Sequence, residues 1–480
     1  MLFNTYTFLI FLPIVFILYW GVFSKKINIQ NIFLLIASYF FYGWWSWKFL
    51  VLLFISTLLD YLYGFGVAHS NRKIAKFFLF FSLFNNLGIL AIFKYYNFFI
   101  LQFHEIFANI GVQFTPQLLN ILLPVGISFY TFHGMSYIFD IYRGERQPTR
   151  NFTSYAVFVS FFPLLVSGPI ERANHLLPQI ETQRKFNYLQ SVEGLRLILW
   201  GMFKKVIIAD SLSPIVDNIF NNIPNHNAFA LIIGSIGFSF QIYCDFSGYT
   251  DIALGTAKLF GFELLSNFKF PFFSRDLSEY WNRWHISLSS WFRDYVYYPL
   301  GGYSRGRYVS LRNMFIIFII SGFWHGASWN FIIWGFIHAC GFIPILFFNK
   351  DRIIEEKIVS VNKKYPTFYD LIRILTTFIF ATFAFIFFRL TNLNESILFI
   401  NKIITDSFNN PSQYKIIPES SKIFIFIIPL ILLDWYLRRD ERKLKVPSNK
   451  YIRYFTYLVL TLLIYSFFGK SDTSFIYFQF

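Results

Sequence analysis

An all-α integral membrane protein with about eleven transmembrane helices is the fold class this chain predicts. Three observations predict it: apolar stretches recur from end to end, charge is scarce, and the basic residues gather in short connections. Of 480 residues, 55% are hydrophobic and 14% are charged, whereas a soluble globular chain carries about a quarter charged. Crossing a hydrocarbon core of about 30 Å takes roughly 20 apolar residues as a helix. So many such stretches exclude peripheral or single-span attachment.

In order, the apolar stretches are 7–23, 31–45, 49–67, 77–101, 121–141, 314–348, 371–388, 423–437 and 454–468. The first has no basic leader and no small-residue cleavage site, so it reads as a retained span rather than a signal peptide. The run 156–166 is too short to cross, and Ser167-Gly168-Pro169 ends it, because Gly and Pro break a helix. A re-entrant or half-length helix is expected there, since irregular backbone at membrane depth survives only within protein or against water. Residues 277–295 place Tyr280, Trp281, Trp284, Leu288, Trp291, Phe292 and Tyr295 at spacings of three and four, the pattern of one helix with an apolar face. Its charges make it an amphipathic helix at the interface, or one dipping into a polar cavity, with Asp276 and Glu279 as a capping pair. The stretch 314–348 would measure roughly 52 Å as one helix, so it must bend or fold back. Ser321-Gly322-Phe323-Trp324-His325-Gly326 is the natural place.

The net charge of +16 would suggest nucleic acid in a soluble protein. Here the basic residues lie at 25–26, 72–76, 143–150, 305–312, 350–364 and 438–445, as cytoplasmic loops do under the positive-inside rule. Connections 102–120 and 392–421 are poorer in them. Both termini are therefore expected outside with Lys25 inside, and nucleic acid is set aside as a partner. No linker separates soluble domains and no fixed period repeats, so a single polytopic domain over 1–480 is expected. Cys244 and Cys340 lie in apolar surroundings and define neither a disulfide framework nor a metal site.

Of the eight histidines, His69, His104, His175 and His226 read as solvated loop residues. His133 and His338, within apolar segments, read as structural groups that bond a neighbouring helix. His325 is different. A helix starting near Arg312 carries it about 20 Å into the bilayer, where an ionisable side chain is a functional candidate by default. The alternative is a core histidine tying two helices. His285, in Trp281-Asn282-Arg283-Trp284-His285, is the natural second acid–base group. Neither has ligands at metal spacing, and there is no Gly-rich phosphate loop and no G-x-S-x-G elbow.

Three blocks then point to a family. They are Phe161-Phe162-Pro163-Leu164-Leu165-Val166-Ser167-Gly168-Pro169-Ile170-Glu171-Arg172, then Tyr280-Trp281-Asn282-Arg283-Trp284-His285-Ile286-Ser287-Leu288 running on to Pro299-Leu300-Gly301-Gly302, and Gly322-Phe323-Trp324-His325-Gly326-Ala327-Ser328-Trp329-Asn330. With the closing Phe475-Ile476-Tyr477-Phe478-Gln479-Phe480, they resemble the membrane-bound O-acyltransferase family across nearly the whole chain. The bacterial alginate O-acetyltransferase branch is the most similar, and the teichoic acid D-alanyl transferases are more distant.

The resemblance implies helices ringed around a central funnel in the bacterial inner membrane. It implies a cytoplasmic thioester donor, acetyl-CoA, with no bound cofactor. The acceptor it implies is an exported polysaccharide, reached directly or through a periplasmic acetyl-transferring partner. D-alanyl or other acyl transfer to an envelope polymer is the alternative within the family. His325 matches the family's essential histidine and His285 its other prominent one. In the mechanism this suggests, His325 is the general base, and His285, Asn330 or a backbone N–H steadies the oxyanion, a role the sequence does not assign. Trp324, Trp284 and Asn282 are candidates to line the tunnel. Arg283 and Arg293 are candidates to attract the anionic donor, against pairing with Asp276, Glu279 or Asp294. The rival class is a transporter or an export scaffold; labelled acetate separates them, since only an enzyme leaves covalent label on product.

Overall fold

In a computed structural model of the chain, the structure describes all residues except 167, 349–358, 360–363, 410–420, 443, 445, 470–474 and 477–480. Among the described residues every regular element is helical. Among the described residues five helices are long and apolar enough to cross a membrane: Trp47–Val67, Arg72–Asn109, Ala228–Leu259, Trp329–Phe348 and Phe368–Arg389. Four shorter apolar helices, Tyr6–Gly21, Ile27–Gly43, Phe152–Leu165 and Ile423–Leu437, accompany them. This is a multi-pass membrane protein. The expected loops 350–364, 392–421 and 438–445 lie partly outside the described residues, as do Ser167 of the expected break and 477–480 of the closing block.

The chain forms two compact units. Met1–Leu195 with Ala253–Leu265 make the first, and Arg196–Ile252 with Ser266–Phe480 the second. In the first unit, polar groups that lipid cannot satisfy are paired within the protein, as they must be. Asp60 accepts from Ser82 Oγ at 2.8 Å and from Asn86 Nδ2 at 2.8 Å. Gly134 lies against the Asp60 carboxylate, where an added Cβ would come within 2.2 Å. The buried Arg184 guanidinium donates to Tyr19 Oη, Gln30, Asn31 and the carbonyls of Gln179 and Ile180. The expected half-length helix is present as Phe152–Ser160, but it stops at Phe161, ahead of the Ser-Gly-Pro. Pro163 explains this: its ring excludes the carbonyl of residue 159 and it has no N–H to give. The expected span 121–141 begins only at Ile127, after Gly126 at φ +75°.

Up to Ile252, the helix that the apolar survey missed lies in the second unit. Ala228–Leu259 is a 32-residue helix whose most apolar window is 83% buried. Its acidic residues meet lysines of an earlier helical stretch: Lys205 Nζ lies 2.6 Å from Asp245 and Lys204 Nζ lies 2.6 Å from Asp251, while Lys205 also pairs with Asp210 of its own stretch at 2.8 Å. Gly201 and Gly248 let the two backbones touch, since a Cβ on Gly201 would come within 2.5 Å of the Gly248 carbonyl. Asp245 also accepts the backbone N–H of Ile476 at 2.7 Å, so the described part of the closing block is anchored in this core.

Candidate active site

The 314–348 stretch folds back where the glycines stand. Arg307–His325 ends at the histidine, Gly326 is extended, and Trp329–Gly341 returns antiparallel. Ser328 caps the second helix by accepting from Asn330 N. Gly322 and Gly335 are what allow the hairpin: a Cβ on either would sit 2.1 Å from the backbone oxygen of Phe331 or Phe318. His325 is thereby fixed at a helix C-terminus, 4% exposed. Aromatic rings enclose it, with centroids at 4.7 Å for Trp324, 5.1 Å for Trp334 and 5.0 Å for Phe388.

His285 arrives by a different route, and here the single-helix expectation is wrong. Residues 277–295 are two short helices, Leu277–Trp281 and Ile286–Phe292, followed by a π-turn. The break falls at His285, whose φ of +44° is left-handed. Such a residue costs about 1–3 kcal/mol and persists only when its surroundings impose it. They do so through the extended segment beside it, because Ile286 N donates to Asn267 O and Lys269 N donates to Arg283 O, both at 2.9 Å. Much of the segment is enclosed by protein. Tyr280, Trp281, Trp284, Leu288, Trp291 and Phe292 are buried, and so are Glu279 and Arg283. Asp276 does cap the first helix, accepting from Glu279 N at 2.9 Å, while Glu279 returns to Arg275 N rather than closing the box on Asp276.

The structure brings His285, Trp324 and His325 together. The Trp324 ring has both imidazoles as neighbours, at 6.1 Å for His285 and 4.7 Å for His325. The row continues through Trp334 to His338, at 5.1 Å and 4.8 Å. His285 lies outside the spanning helices, and burial pushes its imidazole down to about 3, so the ring is neutral near pH 7.

The other candidates are placed differently. Asn330 Nδ2 donates to the Leu390 carbonyl and to Ser396 Oγ, tying its helix to the chain beyond Phe368–Arg389. Trp284 packs against Tyr280, with centroids 5.7 Å apart. Asn282 is exposed. Arg283 pairs with Glu279 at 2.8 Å, and Arg293, half exposed, with Asp294 at 2.9 Å. Asn267, which no motif singled out, carries the polar contacts of His285: its Oδ1 lies 3.0 Å from His285 Nδ1 and accepts from Ser287 Oγ at 2.9 Å. The one signal for it is its place in the polar stretch 262–313, directly after Ser266. Among the described residues no group of three or more His, Cys, Asp or Glu is arranged to hold a metal ion.

Residues 44–350 match the membrane-bound O-acyltransferase family. A probable alginate O-acetylase of Pseudomonas syringae pv. tomato is 38% identical over 398 residues, covering 82% of this chain and 73% of that protein. A peptidoglycan O-acetyltransferase of Helicobacter pylori is 30% identical and aligns over 100% of this chain and 98% of its own length. A teichoic acid D-alanyltransferase of Bacillus subtilis is 29% identical over 56% of this chain and 69% of its own.

Proposed function

The chain belongs to the membrane-bound O-acyltransferase family and is an acyltransferase, and from that premise we propose that it transfers an acetyl group from acetyl-CoA to a hydroxyl of an exported polysaccharide, with His325 as general base. The observation that carries this reading is the His325 ring at the broken end of its helix, with His285 and His325 both beside Trp324. His325 takes the proton of the acceptor hydroxyl as its oxygen attacks the thioester carbonyl carbon. The new C–O bond forms, the tetrahedral oxyanion collapses, the C–S bond breaks, and the thiolate leaves and takes up the proton from the imidazolium. A helix C-terminus favours the positive charge that passes through the ring. General-base help of this kind contributes about 10²–10⁴ in rate, and an apolar enclosure keeps water from hydrolysing the thioester.

The relative that aligns from end to end is named for peptidoglycan, while the alginate relatives align over about four-fifths of this chain. That difference favours cell-wall glycan over alginate as the acceptor. The test is label transfer from [acetyl-¹⁴C]acetyl-CoA in membranes, which retain any periplasmic acetyl-transferring partner, offered peptidoglycan fragments or alginate. Alkali-labile label on peptidoglycan supports the reading. Label on alginate alone moves the acceptor, and label on neither, with acetyl-CoA unspent, contradicts it.

A further inference from the structure

The contacts of Asn267 decide which edge of His285 can accept a hydrogen bond. Its Oδ1 faces the backbone N–H of Ser287 at 3.3 Å, Ser287 Oγ at 2.9 Å and His285 Nδ1 at 3.0 Å. A backbone N–H only donates, so the amide atom it meets must be oxygen, which settles the orientation of the Asn267 amide. An oxygen facing Nδ1 requires that Nδ1 carry the hydrogen. In a neutral imidazole the remaining nitrogen, Nε2, then holds the lone pair. The backbone on both sides of this contact is fixed, because the Asn267 carbonyl accepts from Ile286 N and the His285 backbone is held left-handed. Both residues are fully buried. Asn267 and Ser287 face the ring on one side; Phe246, Phe268 and Trp324 face it elsewhere, and His325 neighbours Trp324.

We infer that Asn267 is a positioning residue that locks His285 in its Nδ1–H tautomer, so that Nε2 carries a lone pair, acts only as an acceptor in the reaction centre and does not donate to the oxyanion. This rests on the reading of the His285–Trp324–His325 cluster as the reaction centre. A neutral amide suits the task. A carboxylate in its place would draw a second proton onto the ring and turn Nε2 into a donor.

Two variants test it, each normalised to folded protein by gel filtration in detergent. Asn267→Leu keeps the volume and accepts nothing; kcat should fall about 10²-fold with the donor KM unchanged. Asn267→Asp keeps all three bonds. It should be active at high pH and lose activity as pH falls, with a midpoint above that of wild type. A packing role moves no pH profile. Wild-type kcat for Asn267→Leu overturns the inference, as does an Asn267→Asp profile that superimposes on wild type or a folded Asn267→Asp inactive at every pH. If Asn267→Leu does not fold, the aspartate profile decides alone. His285→Ala separates the levels: full activity there removes the reaction-centre reading, whereas loss there beside an active Asn267→Leu removes only the role of Asn267.

Discussion

His133 and His325 both lie on apolar helices and are both enclosed, 1% and 4% exposed, yet their surroundings differ in kind. In the first unit, His133 Nε2 accepts the backbone N–H of Glu171 at 3.1 Å. Glu171 in turn accepts from Leu265 N at 2.6 Å and lies 2.7 Å from His175 Nδ1. That imidazole is a joint between a helix and an irregular segment, and its bonds are made to main chain. In the second unit, His325 stands at a helix end among Trp324, Trp334 and Phe388, and His285 also neighbours Trp324. A histidine that serves the fold is bonded to backbone. His325 is instead packed by aromatic rings at the end of its helix, which is where the proposed chemistry places it.

The comparison breaks or sharpens at four points. His285→Ala carries the largest expected effect, a fall in kcat of about 10²-fold or more with the protein still inserted; steady-state transfer measures it, and wild-type kcat would place His285 with the structural histidines. Gly335→Val attacks the same centre through its scaffold. A Cβ there meets the Phe318 carbonyl, so the hairpin carrying His325 should lose about 1–3 kcal/mol or more, seen as a lower unfolding midpoint together with lost activity. His133→Ala strips the buried Glu171 N–H of its acceptor and should cost about 1–3 kcal/mol with kcat per folded molecule unchanged. His133→Gln, which supplies an acceptor oxygen, should recover part of that loss in the same melt. Asp276→Ala removes a cap from the helix leading to His285 and should cost about 1 kcal/mol.

How much of this was legible follows from what each feature depends on. The fold-back at Gly326 depends on chain length and two glycines, both local, and it stands where the sequence places it. The left-handed turn at His285 depends on Asn267 and Lys269 lying alongside, a tertiary contact that the helical spacing of Trp281, Trp284, Leu288 and Trp291 conceals. The Ala228–Leu259 helix was passed over because Gln241, Asp245 and Asp251 interrupt its apolar run, and only the structure shows Lys204 and Lys205 meeting those carboxylates. Within the site, His325, His285 and Trp324 could be chosen from motif and depth. Asn267 could not, because its role is a hydrogen bond to a residue 18 positions away.

The measurement that tests the account most directly is acetyl transfer by His325→Ala and His133→Ala in the same membranes, each normalised to folded protein. The account predicts transfer lost by about 10²–10⁴-fold in the first and kept in the second. Transfer kept in His325→Ala, or lost equally in both, would contradict the assignment of the chemistry to His325.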